Sequence, residues 1–444
     1  MKHILIIGAG RSSISLIEYL LGQAVIHSWH ITVADFDLKL AEQKAAGHKH
    51  ASAISLDIKD AEKRRSIIQA HDLVISMLPA FMHGDVARDC VELGKHMATA
   101  SYVSADMKAL NAEAISKNVL LLNECGLDPG IDHASAMKLI HEIEAGGGEI
   151  VSFKSYCGGL VAPESNDNPW GYKFSWNPRN VIVAGQGTTQ YLENGTLKFI
   201  PYNRLFKQTD SIETDGYGKF DAYANRDSVS YIDVYGLHSV KTMLRGTLRQ
   251  HGYCNAWNVF VKLGLTDDTS KIANTDQLTY TSLLESFLPP APGTLKERLK
   301  ALVGSDWTGD VEHMMDYLEL FSDKKINLHE GTPAQLLQAL LEEKWKLKSG
   351  DKDMVVMQHQ FGYTTPKEPG NIKRVDSSLV VIGKDESHTA MALTVGLPLA
   401  ITVKNFLTGK FSLSGVQIPI RKEIYEPLLS ELAEHGVVFA EKQY

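Results

Sequence analysis

Cysteine is scarce in this chain. Cys90, Cys125, Cys157 and Cys254 are the only four in 444 residues, and they lie far apart. No Cys-x-x-Cys pair occurs, which argues against a zinc site and against a disulfide framework. No stretch of about 20 apolar residues is present to span a membrane. The first apolar run, His3-Ile4-Leu5-Ile6-Ile7, is short and ends in glycine, so it does not read as a signal peptide. An excess of basic residues is also missing. A net charge of −8 argues against a nucleic-acid partner, although a few arginines in a cleft can still hold an anionic ligand. Repeats and low-complexity stretches are absent. These absences lead to the expectation of a soluble, cytoplasmic protein. Asn194-Gly195-Thr196 has the form of a glycosylation sequon, but without a secretory route it is expected to be a hairpin turn.

What is present points to an α/β chain with more than one core. At 444 residues, 44% hydrophobic and 22% charged, two or three globular domains are expected. The apolar run at His3–Ile7 leads into Gly8-Ala9-Gly10-Arg11-Ser12-Ser13, then a helical stretch from Ile14 to Leu21 and a second strand from Trp29 to Ala34, closed by Asp35. Strand, glycine turn, helix, strand, acid is the order of a dinucleotide-binding βαβ unit. Gly8 allows the tight turn, Gly10 lets the backbone approach a pyrophosphate, and the helix start offers free N–H groups to phosphate. Ser13 stands where the pattern prefers Gly or Ala. Asp35, with Phe36 and Asp37, is placed to meet an adenosine ribose.

The alternation continues, with strands at His50–Leu56, Leu73–Ser76, His96–Ala98 and Val119–Leu122 and helices at 38–46, 61–70, 86–93 and 107–117. Six runs of this kind predict a Rossmann-type doubly wound parallel sheet. Ligands of such sheets lie beyond the carboxyl ends of the strands. That rule selects Asp57-Ile58 and Ser76-Met77-Leu78-Pro79 for the cofactor, and Ala100-Ser101-Tyr102 and Asn123 to Gly130 as further cleft-lining loops. From Glu149 the texture changes to strands rich in Tyr, Phe and Val. The expected organisation is a dinucleotide domain at 1–130, an α+β substrate domain with a mainly antiparallel sheet at 131–276 and 349–389, a helical insertion at 277–348, and a segment at 390–444 packing back on the first domain.

Several stretches resemble the saccharopine dehydrogenase family of the glutamate-forming type. They are Ser76-Met77-Leu78-Pro79, Thr99-Ala100-Ser101-Tyr102-Val103-Ser104 and Gly126-Leu127-Asp128-Pro129-Gly130-Ile131-Asp132-His133. Ser155-Tyr156-Cys157-Gly158-Gly159-Leu160, running on to Phe174-Ser175-Trp176, is the most specific; Asn225-Arg226-Asp227-Ser228 and Arg245-Gly246-Thr247-Leu248-Arg249 follow. The resemblance implies an NAD(P)-dependent oxidoreductase acting on a secondary amine that joins two amino-acid skeletons, and a homodimer. Relatives acting on carboxynorspermidine or lysine share part of the pattern. A catalytically silent dinucleotide sensor is the alternative of another class.

A substrate with three carboxylates needs fixed cations, and the planar fork of arginine suits them. Arg226 and Arg249 are the leading clamps, with Arg245 and Thr247 beside them. By resemblance Ser101 and Tyr102 contact substrate, Tyr102 also near the cofactor, and Phe174 and Ser175 shape the pocket. Asp128 is the first choice for handling a proton and Cys157 the second; their structural readings are a turn carboxylate and a buried inert thiol. His133 is expected to pack or cap. The family often uses NADP, but a strand ending in Asp35-Phe36-Asp37 repels a 2′-phosphate, with Arg11 the one nearby cation. NAD(H) is therefore expected to be favoured, with NADP(H) possible.

Overall fold

Short apolar strands alternating with amphipathic helices build a seven-stranded, all-parallel sheet near the amino terminus. The computed structural model describes Met1 to Tyr444, apart from the side chain of Pro369. In this sheet the strands run in the order Gly415–Gln417, Leu120–Leu122, His96–Ala98, Leu73–Ser76, His3–Ile7, His30–Asp35 and Ala51–Ser55. The chain winds outward from His3–Ile7 on one side and restarts at Leu73–Ser76 on the other, so the order reverses between these two neighbours. Their carboxyl ends form the switch point where such sheets bind ligands. Apolar side chains cover both faces, as a parallel sheet requires: Ile4, Ile6 and Leu16 on one, Leu5, Val74 and Val86 on the other.

Two details depart from the sequence expectation. The seventh strand, Gly415–Gln417, comes from the far end of the chain and is too short to carry a periodic signal. The helix expected at 107–117 is two, Ala105–Ala109 and Asn111–Ser116. Asn111 spends its side-chain oxygen on the Val416 N–H at 2.8 Å, fastening that seventh strand.

The first compact unit takes in Met1–Gly148 and Leu379–Ala440. Its boundary lies beyond the expected residue 130, because the helix Ile131–Ala145 packs on the helix Lys422–Glu434, with His141 Nδ1 2.7 Å from the Tyr425 hydroxyl. Residues 379–389, expected in the second domain, also belong to it. The helix Ala390–Leu407 is the one helix among the described residues long and apolar enough to cross a membrane; 83% of it is buried within the protein. Leu399, Ala400 and Val403 of this helix join Leu16, Ile17 and Leu20 in one core.

The second unit, Glu149–Ser378 with Glu441–Tyr444, is built on a mixed nine-stranded sheet. Its centre is Thr242–Gln250, paired in parallel with Glu149–Val161 and antiparallel with Gly218–Ala224. Asp353–Thr365 lies antiparallel to Glu149–Val161 on the other side. The hairpin Thr188–Glu193 and Thr196–Pro201 turns at Asn194 (φ 50°) and Gly195 (φ 76°), both left-handed as a tight hairpin requires. The helices Tyr280–Phe287, Leu295–Val303, Gly309–Tyr317 and Pro333–Lys344 occupy the region expected as a helical insertion. Trp170, Tyr253, Trp257, Phe260 and Trp345 interlock at the core.

Gly396 of the long core helix lies against the start of the glycine-turn helix. A Cβ there would meet Ser12 O and Leu16 N at 3.0 Å each. Gly396→Val should push that helix start outward at a cost of roughly 1–3 kcal/mol. The expected readout is a lowered Tm together with weakened dinucleotide binding by titration, while the conservative change Gly22→Ala, where a Cβ meets nothing within 4 Å, should alter neither.

Candidate active site

The glycine turn is shaped by what its backbone must clear. Gly8 has φ +107°, and a Cβ there would meet Met77 O at 3.0 Å, so the turn presses directly on the end of the fourth strand. Met77 N–H in turn donates to Ile7 O at 2.8 Å. Ser13 is buried and its hydroxyl donates back to Gly10 O at 2.8 Å, so the serine closes the turn rather than crowding it. Residues 11–13 form a 3-10 turn that runs into the helix Ile14–His27. Its first amides have no intrahelical acceptor, which suits phosphate oxygens. Ser12 is half-buried and Arg11 is exposed beside them.

Asp35 serves the fold before it serves any ligand. Its Oδ2 accepts the Ala9 N–H at 2.7 Å and its Oδ1 the Asp37 N–H at 3.0 Å. Asp37 caps the next helix by accepting the Lys39 N–H, and Asp57 accepts the Lys59 N–H at 3.0 Å. Asp35 and Asp57 border a pocket of about 460 Å³ that Ile7, Gly8, Phe36, Leu56 and Leu78 also line, with Ile58, Lys59 and Met82 completing it. Apolar walls, a carboxylate held at the strand end, a glycine that a Cβ would block and an open helix start together fit a dinucleotide. Phe36 is 76% exposed at the rim. Pro79 leads into the short turn Ala80–Met82.

Beyond the fourth and fifth strands, three polar side chains line up. Ser76 Oγ is 2.8 Å from His83 Nδ1, and His83 Nε2 is 2.8 Å from Ser101 Oγ. Burial pushes the His83 imidazole down to about 4, so it is neutral at physiological pH. The next residue, Tyr102, is 46% exposed and its hydroxyl donates to Asp128 Oδ1 at 3.1 Å. Glu124 anchors this loop: its N–H donates to Ser101 O, its Oε1 accepts the Val103 N–H at 2.9 Å, and its Oε2 lies 2.7 Å from His133 Nε2. His133 is fully buried. Gly130 (φ +145°) returns on Gly126 so closely that a Cβ would stand 2.0 Å from Gly126 O, and this knot holds Asp128 in place.

In the second unit the alternation of a strand gathers the predicted substrate residues. Arg245, Thr247 and Arg249 project from one face of Thr242–Gln250, and the register places Cys157 beside Thr247 and Ser155 beside Arg245. Cys157 is buried and takes part in no disulfide. Gly158 is required by packing, because a Cβ there would meet Leu248 O at 2.5 Å. Its need is therefore internal to the sheet packing. The Arg245 guanidinium lies 3.9 Å over the Tyr231 ring.

Arg249 is the unusual member. It is 3% exposed; one guanidinium nitrogen donates to Leu248 O at 2.9 Å, and its Nε has no partner among the described residues. Tyr172, Tyr253 and Tyr223 surround it at 5.3, 5.6 and 5.8 Å from their ring centres. Burial raises the pKa of all three phenols, so they stay neutral. Asp221, the residue opposite Arg249 in the neighbouring strand, is committed to the His251 ring and to the amides of Gly252 and Cys254.

Three predicted residues stand apart from this face. Arg226 is exposed in the turn after Gly218–Ala224, with a left-handed φ of 26°. The turn is fixed by Asp227, whose Oδ1 accepts from Val229 N–H and the Gln190 side chain. Phe174 is buried against Tyr172 and Trp345, with its N–H bonded to Trp345 O, so it belongs to the aromatic core behind the tyrosine ring set; Ser175 is buried beside it. Sequence reasoning missed His83 and the three tyrosines, and placed Glu124 in a cleft-lining loop without a role. Tyr172 lies inside a quoted motif and Tyr253 shortly after another, but no spacing rule links rings that far apart in sequence.

Comparison with known proteins accounts for both units. A family model described as the saccharopine dehydrogenase NADP binding domain matches residues 4–122, and the saccharopine dehydrogenase C-terminal domain matches residues 126–437. The chain is 33% identical to a saccharopine dehydrogenase [NADP(+), L-glutamate-forming] of Pyricularia oryzae, over 99% of each chain. It is 34% identical to the Saccharomyces cerevisiae protein of the same name, again over 99% of each. It is 35% identical to the mitochondrial alpha-aminoadipic semialdehyde synthase of Mus musculus, covering 99% of this chain and 47% of that one. The solved apo saccharopine dehydrogenase (L-Glu forming) of S. cerevisiae superposes with a TM-score of 0.89 at 33% identity, covering 100% of both chains. A homospermidine synthase from Legionella pneumophila shares the fold alone, with a TM-score of 0.55 at 9% identity. Matched from end to end by both domain models and by full-length relatives, the chain belongs to the saccharopine dehydrogenase family.

Proposed function

We propose that this protein is an oxidoreductase of lysine metabolism, interconverting saccharopine with L-glutamate and 2-aminoadipate 6-semialdehyde. In the oxidative direction the C–H bond beside the secondary amine gives up a hydride and the amine nitrogen a proton, leaving an imine. Water adds to the imine carbon, and the C–N bond breaks to release glutamate and the aldehyde. The nicotinamide dinucleotide supplies the hydride-accepting chemistry when bound.

The observation that carries this reading is Arg249, a buried cation with no carboxylate paired to it among the described residues. A group held so costs stability unless an anion completes it. A substrate carboxylate does so bidentately, which neither a polyamine nor a sugar can match. Arg245 and Thr247 share its face, and Arg226 offers a further, exposed cation. Tyr102 and Asp128 are linked and open to solvent, which suits them to moving the proton and activating water. Cys157 is buried and takes the lesser role of lining the face.

A nicotinamide dinucleotide is the cofactor of this family, and within that class we favour NAD(H). Asp35 is fixed at the pocket rim by two amides and cannot swing away from a 2′-phosphate. Arg11 and Lys59 are the cations available to offset it. Titration should give tighter binding of NADH than of NADPH, and the reverse order would overturn this preference.

Reduced dinucleotide should be oxidised with 2-aminoadipate 6-semialdehyde only when glutamate is supplied; turnover independent of glutamate would sink the assignment. Arg249→Met should raise the KM for saccharopine by at least about tenfold while leaving Tm equal or higher, because it removes an uncompensated buried charge. An unchanged KM would remove Arg249 from the substrate site.

A further inference from the structure

We infer that His83 is a positioning residue that fixes the direction of the Ser101 hydroxyl, turning it outward as a hydrogen-bond donor to an anionic oxygen of the substrate. The inference rests on the reading of Ser101 as a substrate contact and goes beyond it by assigning the polarity of that contact and the side chains that impose it.

The argument is a proton count. Ser76 is 0% exposed, and the one hydrogen-bond partner of its hydroxyl among the described residues is His83 Nδ1, at 2.8 Å. A buried O–H must donate somewhere, so the Ser76 proton goes to Nδ1. A neutral imidazole carries one proton, and with Nδ1 accepting, that proton is on Nε2. Nε2–H therefore donates to Ser101 Oγ at 2.8 Å. The Thr99 hydroxyl competes for the same nitrogen only from 3.4 Å, and it already accepts the Ser101 N–H at 3.2 Å.

With its oxygen accepting from His83, Ser101 has its own proton free. Its side chain is partly open to solvent, whereas Ser76 and Thr99 are closed off. The chain of donors thus runs one way, from Ser76 through His83 to Ser101 and out to the ligand, each bond polarising the next. Burial keeps His83 neutral, so it orients the proton and does not transfer one. The opposite tautomer would strand the Ser76 proton in the core and leave Ser101 donating inward.

Ring-selective 15N labelling reads the tautomer directly in long-range 1H–15N correlations. The expected state of His83 at neutral pH is the uncharged Nε2–H form; an Nδ1–H form or a protonated ring would overturn the relay. Ser76→Ala and Ser101→Ala should each raise the KM for saccharopine by about tenfold. The double variant should be no worse than Ser101→Ala alone, since Ser76 acts only through Ser101. Additive effects would overturn the relay. An unchanged KM in Ser101→Ala would instead overturn the substrate contact beneath it, while the tautomer result stood.

Discussion

A guanidinium enclosed in a protein interior without a paired carboxylate is an unfinished electrostatic arrangement, and among the described residues the second unit is organised around one. Strand alternation turns Arg249 inward with Arg245 and Thr247. Three neutral phenol rings offer their electron-rich faces, which soften the desolvation of the cation but do not neutralise it. The nearest acidic position in the register, Asp221, is withheld by three other hydrogen bonds. Burial thus preserves the cation's full demand for an anion, and Gly158 lets the supporting strands close tightly behind it.

The first unit solves a different problem, holding flexible loops still at the ends of parallel strands. Its means are backbone-directed carboxylates. Glu124 gathers Ser101, Val103 and His133; Asp35 joins the first and second strands through Ala9; Asp132 accepts the Gly130 N–H at 2.6 Å. Each bond is local to a loop that a ligand would touch, so order is concentrated where chemistry needs it.

Much of this was legible in the sequence. The βαβ start at His3–Asp35 and the run of strands to Leu122 announce themselves by periodicity, and the Asn194-Gly195 hairpin by its turn residues. The shared face of Arg245, Thr247 and Arg249 also follows from a period of two. What escaped depends on contacts between distant segments. Gly415–Gln417 becomes a strand only because an edge is waiting for it. Ile131–Ala145 falls in the first unit because a helix nearly three hundred residues later covers it. His83 carries no motif; its meaning comes from the hydroxyls on either side. Phe174 was expected at a pocket wall and lies in the aromatic core, because its neighbours Tyr172 and Trp345 draw it there.

The pair of hydrogen bonds that Asp35 accepts from the amides of Ala9 and Asp37 bears on how this family can vary. The carboxylate at the end of the second strand is also the clasp that holds the glycine turn in shape. A lineage cannot exchange it for a cation without unfastening Ala9, so such an exchange must proceed through partners that first take over those amides. The residue at this strand end is, in this protein, tied to the geometry of a loop.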